Sequence, residues 1–159
     1  MGRKRSPEDG PLYDPLVDIS PVHDIDDVTP TFKCRASLRV FGDSLDFDEI
    51  SRALSLTPTM THRKGDRRSP KSNTLWLQDM WSYDASVPEE RPLTEHIDAL
   101  WLDVGPSAEY LLSLKARATV DVFLGYRSDW VDGGIEVPDR SLEMFRALEV
   151  PFSLSIIRI

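Results

Sequence analysis

The chain has 159 residues, 40% of them hydrophobic and 29% charged, with a formal net charge of −8 at pH 7. That length holds one domain of about 100 to 150 residues plus a tail, which buries a core without covalent cross-links, and the acidic balance argues against nucleic acid as the partner. No apolar run approaches the roughly 18 residues of a membrane span, and the single cysteine, Cys34, leaves no intramolecular disulfide, so the expected setting is cytoplasmic and reducing, with no membrane partner.

Residues 1–31 contain Pro7, Pro11, Pro15, Pro21 and Pro30, and seven acids less three bases give −4 of the −8. A segment of this composition buries too little apolar surface to offset its ordering entropy, and we read it as a disordered acidic tail. Residues 32–159 read as a single α+β domain. Between residues 32 and 40, Phe32, Cys34, Ala36, Leu38 and Val40 alternate with Lys33, Arg35, Ser37 and Arg39, which predicts a strand with one dry and one wet face. Cys34 is then a small buried hydrophobe. Gly42 ends the strand. Asp46 is placed to cap a helix, with Glu49 as its reciprocal partner and Leu45 and Ile50 as the hydrophobic staple. The helix shows Phe47, Ile50 and Leu54 on one stripe and stops before Pro58.

The following segment has turn residues and no apolar period. Residues 74–84 read as a strand whose buried face carries Leu75, Leu77, Trp81 and Tyr83. A helix over residues 94–102 buries Ile97, Leu100 and Trp101, with His96, Glu95 and Asp98 on a solvated face. Gly105-Pro106 marks a stop and restart, and a second helix near residues 107–115 buries Tyr110, Leu111 and Leu114. Residues 118–126 return to strand period with Val120, Val122 and Leu124 inward. Residues 127–134 form a loop with Trp130, residues 135–137 suggest a short strand, and residues 139–148 a helix burying Leu142, Phe145 and Leu148. Residues 152–159 close the chain as a strand with Phe152, Leu154 and Ile156 inward. Two strand–helix–strand units, each with an Arg-Ala-Leu triplet (52–54 and 146–148), suggest an internal duplication and a two-layer, ferredoxin-like sandwich with an antiparallel or mixed sheet and helices on one face.

No serine elbow, phosphate loop or metal-spaced histidine pair is present, so no catalytic residue, metal or cofactor is expected. The most basic segment is loop 61–68. Its His62, Arg63, Lys64, Arg67 and Arg68, with Trp76 beyond, form a candidate site for an anionic, phosphate- or nucleotide-like small molecule. The plainer reading is a solvated connector whose bases pair with the domain's acids. Lys33, Arg35 and Arg39 would lie beside the loop if the helix-free face of the sheet is open.

Val40-Phe41-Gly42, residues 50–58, Lys64-Gly65-Asp66, Trp81-Ser82-Tyr83 and the final strand after Val150-Pro151 resemble a bacterial family of small cytosolic proteins known only as a domain of unknown function. The resemblance covers about residues 32–159 and implies a compact α/β fold, with no activity or catalytic residue to carry over. The leading expectation is therefore a non-enzymatic binding or regulatory module with a protein partner, of the immunity type, whose acidic surface meets a basic partner. The alternative is a binding protein or weak enzyme for an anionic small molecule that uses loop 61–68, with His62 as the group that would carry catalysis.

Overall fold

The computed structural model describes residues 31–129 and 134–158. The acidic tail up to residue 30 and Trp130 lie outside the described residues. The alternation read in the first strand is realised in β1 (Phe32–Gly42), where Cys34, Ala36, Leu38 and Val40 are buried, while Lys33, Arg35 and Arg39 point to the opposite face. β1 is the central strand. It pairs antiparallel with β3 (Asp79–Asp84) on one side and with β4 (Thr119–Ser128) on the other. β2 (Met60–His62) runs antiparallel beside β3, and β5 (Leu154–Arg158) runs parallel beside β4. The result is an α+β fold with a mixed, open five-stranded sheet of order β2-β3-β1-β4-β5. The two units read as a duplication differ in their pairing: β1 and β2 are separated by β3, whereas β4 and β5 are neighbours.

Among the described residues, four helical segments cover the dry face: α1 (Phe47–Leu54), α2 (Leu93–Val104), α3 (Ala108–Leu114) and α4 (Glu143–Ala147). Ile50, Ile97, Leu100, Leu111 and Met144 from these segments share one interior with Leu38, Trp81 and Val122, and Leu154 packs against it. Each such side chain contributes about 1.5–3 kcal/mol through loss of contact with water. The Asp46 carboxylate accepts the Glu49 N–H at 2.9 Å and so caps α1, with Leu45 and Ile50 both buried beside it. Glu49 does not close the capping box. Its carboxylate accepts from the Tyr110 hydroxyl and from Arg117, which ties α1 to α3 and the turn after it. Gly105–Ser107 forms a 3-10 turn between α2 and α3, as the Gly-Pro pair suggests.

Several expectations are corrected. The strand read over residues 74–84 begins only at Asp79, and Leu75 and Leu77 are 46% and 75% exposed. Before Asp79 the chain doubles back on itself through Gly65 N–H to Trp76 O, Trp76 N–H to Asp66 O and Arg68 N–H to Thr74 O, so its alternation is not continuous with that of the strand. Trp81 and Tyr83 do face the helices; the Trp81 indole donates to Ser51 Oγ and the Tyr83 hydroxyl to Asp103. Strand β2 arises in a stretch read as turn. Residues 135–137 form no strand, and the last helix is divided into a 3-10 turn (Asp139–Leu142) and α4, which leaves Leu142 exposed and buries Met144. Phe152 and Ile156 are exposed: Phe152 lies before the strand begins at Leu154, and Ile156 lies on β5, an edge strand with a neighbour on one side only.

His96, expected on a solvated face, is only 2% exposed. It hydrogen-bonds the backbone at Pro88 and Arg91, and its Nε2 has no partner among the described residues. Burial pushes its pKa below the ordinary value of 6.5, against the raising effect of those bonds and of Glu95 and Glu89. With the folded pKa depressed, its contribution to stability is whole above about pH 6.5 and is lost as pH falls through the folded value. His62 is buried with a pKa lowered in the same direction. Urea midpoints measured between pH 7.5 and 5 should therefore fall with acidification, and His96→Leu should make that fall shallower without abolishing it. An unchanged pH slope in the variant would contradict the assignment.

Candidate functional site

The second face of the sheet carries no helix among the described residues. Strand parity places Lys33, Arg35, Ser37, Arg39 and Phe41 of β1 there, beside Met80, Ser82 and Asp84 of β3 and Asp121, Phe123, Gly125 and Arg127 of β4. Its charges are largely matched. Arg39 donates twice to Asp121, at 2.8 and 2.7 Å, with its guanidinium 4.8 Å from the Phe123 ring centre and 5.2 Å from that of Phe41. Ser37 donates to Asp84 at 2.6 Å, and Lys33 and Arg35 both donate to Glu89, at 3.1 and 3.4 Å. Half-exposed pairs of this kind contribute about 0–1 kcal/mol each, so their effect is to hold side chains in place more than to hold the fold.

Three adjoining depressions meet at Phe123. One of 260 Å³ is lined by Met60, Trp76, Met80 and Phe41 with Arg35 and Arg39 at its side. A second, of 180 Å³, opens over Gly125. A third, of 310 Å³, lies between Arg39, Asp121 and the start of β5.

The structure divides the residues that the sequence grouped on loop 61–68. Arg63 and Lys64 turn toward the start of α1. Arg63 Nη1 donates to Asp79 at 2.8 Å and to the Leu45 carbonyl at 2.7 Å, with its guanidinium 3.7 Å from the Phe47 ring centre. Lys64 donates its backbone N–H to Asp79 at 2.8 Å and its amine to Asp43 at 3.0 Å. Asp79 is 4% exposed and also accepts the Leu45 N–H at 2.9 Å. Burial pushes its pKa up, but the bonds from Lys64, Arg63 and Leu45 outweigh burial and hold the carboxyl below its ordinary range.

His62, Trp76 and Arg68 form a separate stack. The His62 and Trp76 rings lie 3.7 Å apart and 10° from parallel, and the Arg68 guanidinium sits 4.6 Å from the Trp76 ring centre. Trp76 covers His62 and rims the 260 Å³ depression, and His62 Nδ1 has no partner among the described residues. Arg67 bridges backbone to Leu75 and has no ion pair among the described residues. The sequence reading missed Phe41, Met60, Met80 and Phe123. A signal was available at Phe123, an aromatic at an outward position between the inward Val122 and Leu124. Among the described residues no group of three or more His, Cys, Asp or Glu side chains converges as metal ligands do.

Fold and site together define an α+β domain whose sheet is covered by helices on one side and offers the other. Residues 32–157 match the family described as domain of unknown function (DUF4279), and the chain belongs to that family. No curated protein and no solved structure matches the chain.

Asp79→Asn puts an amide among donors that need an acceptor, and should lower the unfolding free energy at pH 7 by about 1–3 kcal/mol. Urea denaturation reads this, together with faster hydrogen exchange at the Lys64 amide. A variant as stable as the wild type, with Lys64 equally protected, would show that Asp79 does not hold the loop.

Proposed function

We propose that the protein is a non-enzymatic binding module, of the regulatory or immunity type, that receives a protein partner on the helix-free face of its sheet. The observation that carries this reading is the helix-free face itself, where Phe41, Met60, Trp76 and Phe123 stand among arginines already held in place by carboxylates. Aromatic, Met and Arg side chains around a partly apolar centre are the composition of protein interfaces. Fixed arginines also lose less side-chain freedom on docking. The four strands β2-β3-β1-β4, each antiparallel to its neighbour, support a ferredoxin-like core to which β5 is added. A cytoplasmic setting agrees with Cys34 being a buried free thiol.

A photo-cross-linking residue at position 123 should give a defined protein adduct in the native host, and the same residue at Leu102, 78% exposed on α2, should not. Equal adducts from both positions, or none from position 123, would overturn the reading.

A second reading, a small anionic ligand held by Arg67, Arg68, Trp76 and His62, is favoured by the unpartnered Nδ1 beneath the Trp76 ring. In a thermal-shift series of phosphates and nucleotides, this reading expects at least one that raises the melting temperature of the wild type and not of Arg68→Ala. No such compound, or equal shifts in both proteins, would remove it.

A further inference from the structure

Gly125 is the one position on the open face of β4 without a side chain, and its neighbours there are unusually cationic. It pairs laterally with Arg35 of β1 and Ser155 of β5, while Lys33 pairs with Arg127 one step along the same face. Lys33, Arg35 and Arg127 thus surround the 180 Å³ depression, with Phe123 and Ile157 as its apolar walls. A Cβ at Gly125 would sit 3.1 Å from the Phe123 ring, so glycine keeps the floor open.

Among the described residues, Glu89 supplies the one carboxylate that lines this depression. Its backbone carbonyl accepts the Cys34 N–H at 2.7 Å, which anchors it against β1, and its carboxylate accepts from both Lys33 and Arg35. Lys33 and Arg35 therefore share the Glu89 carboxylate, and Arg35 has Asp84 at 3.9 Å on its other side. Arg127, exposed on the far side, has no ion pair among the described residues. The three cations thus face two carboxylates and keep an excess of about one positive charge, centred on Arg127, which favours an incoming anion at short range. Glu89 also shows which anion the Lys33–Arg35 pair accepts, namely a carboxylate.

We propose that the depression over Gly125 is a subsite for an acidic side chain, a glutamate or aspartate, of the docked protein partner. Its carboxylate would be held by Arg127 and by Arg35, which it would share with Glu89, and its stem would rest against Phe123 and Ile157. Planar guanidinium groups suit a carboxylate because they donate to both oxygens at once. This inference rests on the sheet face being the docking surface and adds the chemistry of what docks.

The test uses the full-length ¹⁵N-labelled chain titrated in low salt with three probes: the blocked peptide Ala-Glu-Ala, its neutral counterpart Ala-Gln-Ala, and inorganic phosphate. The expected result is saturable shifts at the Gly125, Arg127 and Ser155 amides with Ala-Glu-Ala and none with Ala-Gln-Ala. Arg127→Gln should weaken the binding about fivefold, the loss expected of one solvent-exposed ion pair, and Lys71→Gln, a cation outside the depression, should leave it unchanged. Glu89→Gln should tighten it severalfold, because Lys33 and Arg35 are released from their internal carboxylate. No saturable shift, equal shifts at Lys71, phosphate binding as tightly as the acidic peptide, or a Glu89→Gln variant that binds no better would each overturn the proposal. A cross-link from position 123 alongside any of these results would leave the docking face standing and remove only the carboxylate subsite.

Discussion

The alternation of β1 is the constraint from which the rest follows. A strand at the centre of a sheet has both edges paired, so its two faces are set by side chains alone, and a slip of one residue would exchange them. Cys34, Ala36, Leu38 and Val40 fix one face as the floor of the interior, and their register with β3 and β4 aligns Trp81, Val120, Val122 and Leu124 on the same side. The cost of the arrangement falls on the other face, where Lys33, Arg35 and Arg39 must stand in a row. Asp84, Asp121 and Glu89 meet them there. One strand thus determines both where the core lies and which face of the sheet stays clear of the helices.

Asp79 settles a second question, the fate of the basic loop. A buried carboxylate needs its charge compensated, and this one gathers three donors: two backbone N–H groups and the Arg63 guanidinium. In doing so it draws Arg63 and Lys64 toward α1 and away from the open face. The basic residues of loop 61–68 look alike in sequence, yet two anchor the loop to the domain, while Arg68 stacks on Trp76 at the rim of a depression.

The net charge of the chain conceals a segregation. Within the four helical segments the acids are Asp48, Glu49, Glu95, Asp98, Asp103, Glu109 and Glu143, against Arg52 and Arg146 alone. The open face of the sheet sets Lys33, Arg35, Arg39 and Arg127 against Asp84, Asp121 and Glu89, a slight excess of positive charge. An acidic protein therefore concentrates its negative charge on the helical side and leaves the other side partly apolar and close to balanced in charge.

The sequence alone determined the elements whose signals are local. The period-two run of β1, the Asp46 cap with its Leu45 and Ile50 staple, the Gly105-Pro106 break and the inward parity of Val120, Val122 and Leu124 all depend on residues close in the chain, and the structure realises each. The tertiary structure decided what depends on partners far away. Leu75 and Leu77 carry a strand's pattern but lie in a loop folded back on itself, and His96 carries a surface residue's chemistry but lies against the backbone at Pro88 and Arg91. Glu49, well placed for its own cap, bonds instead to Tyr110 and Arg117 more than sixty residues on. The candidate site belongs to this second kind. It is assembled from side chains of all five strands, and only pairing between strands could bring Phe123 beside Arg39, or leave Gly125 as an open floor among Lys33, Arg35 and Arg127.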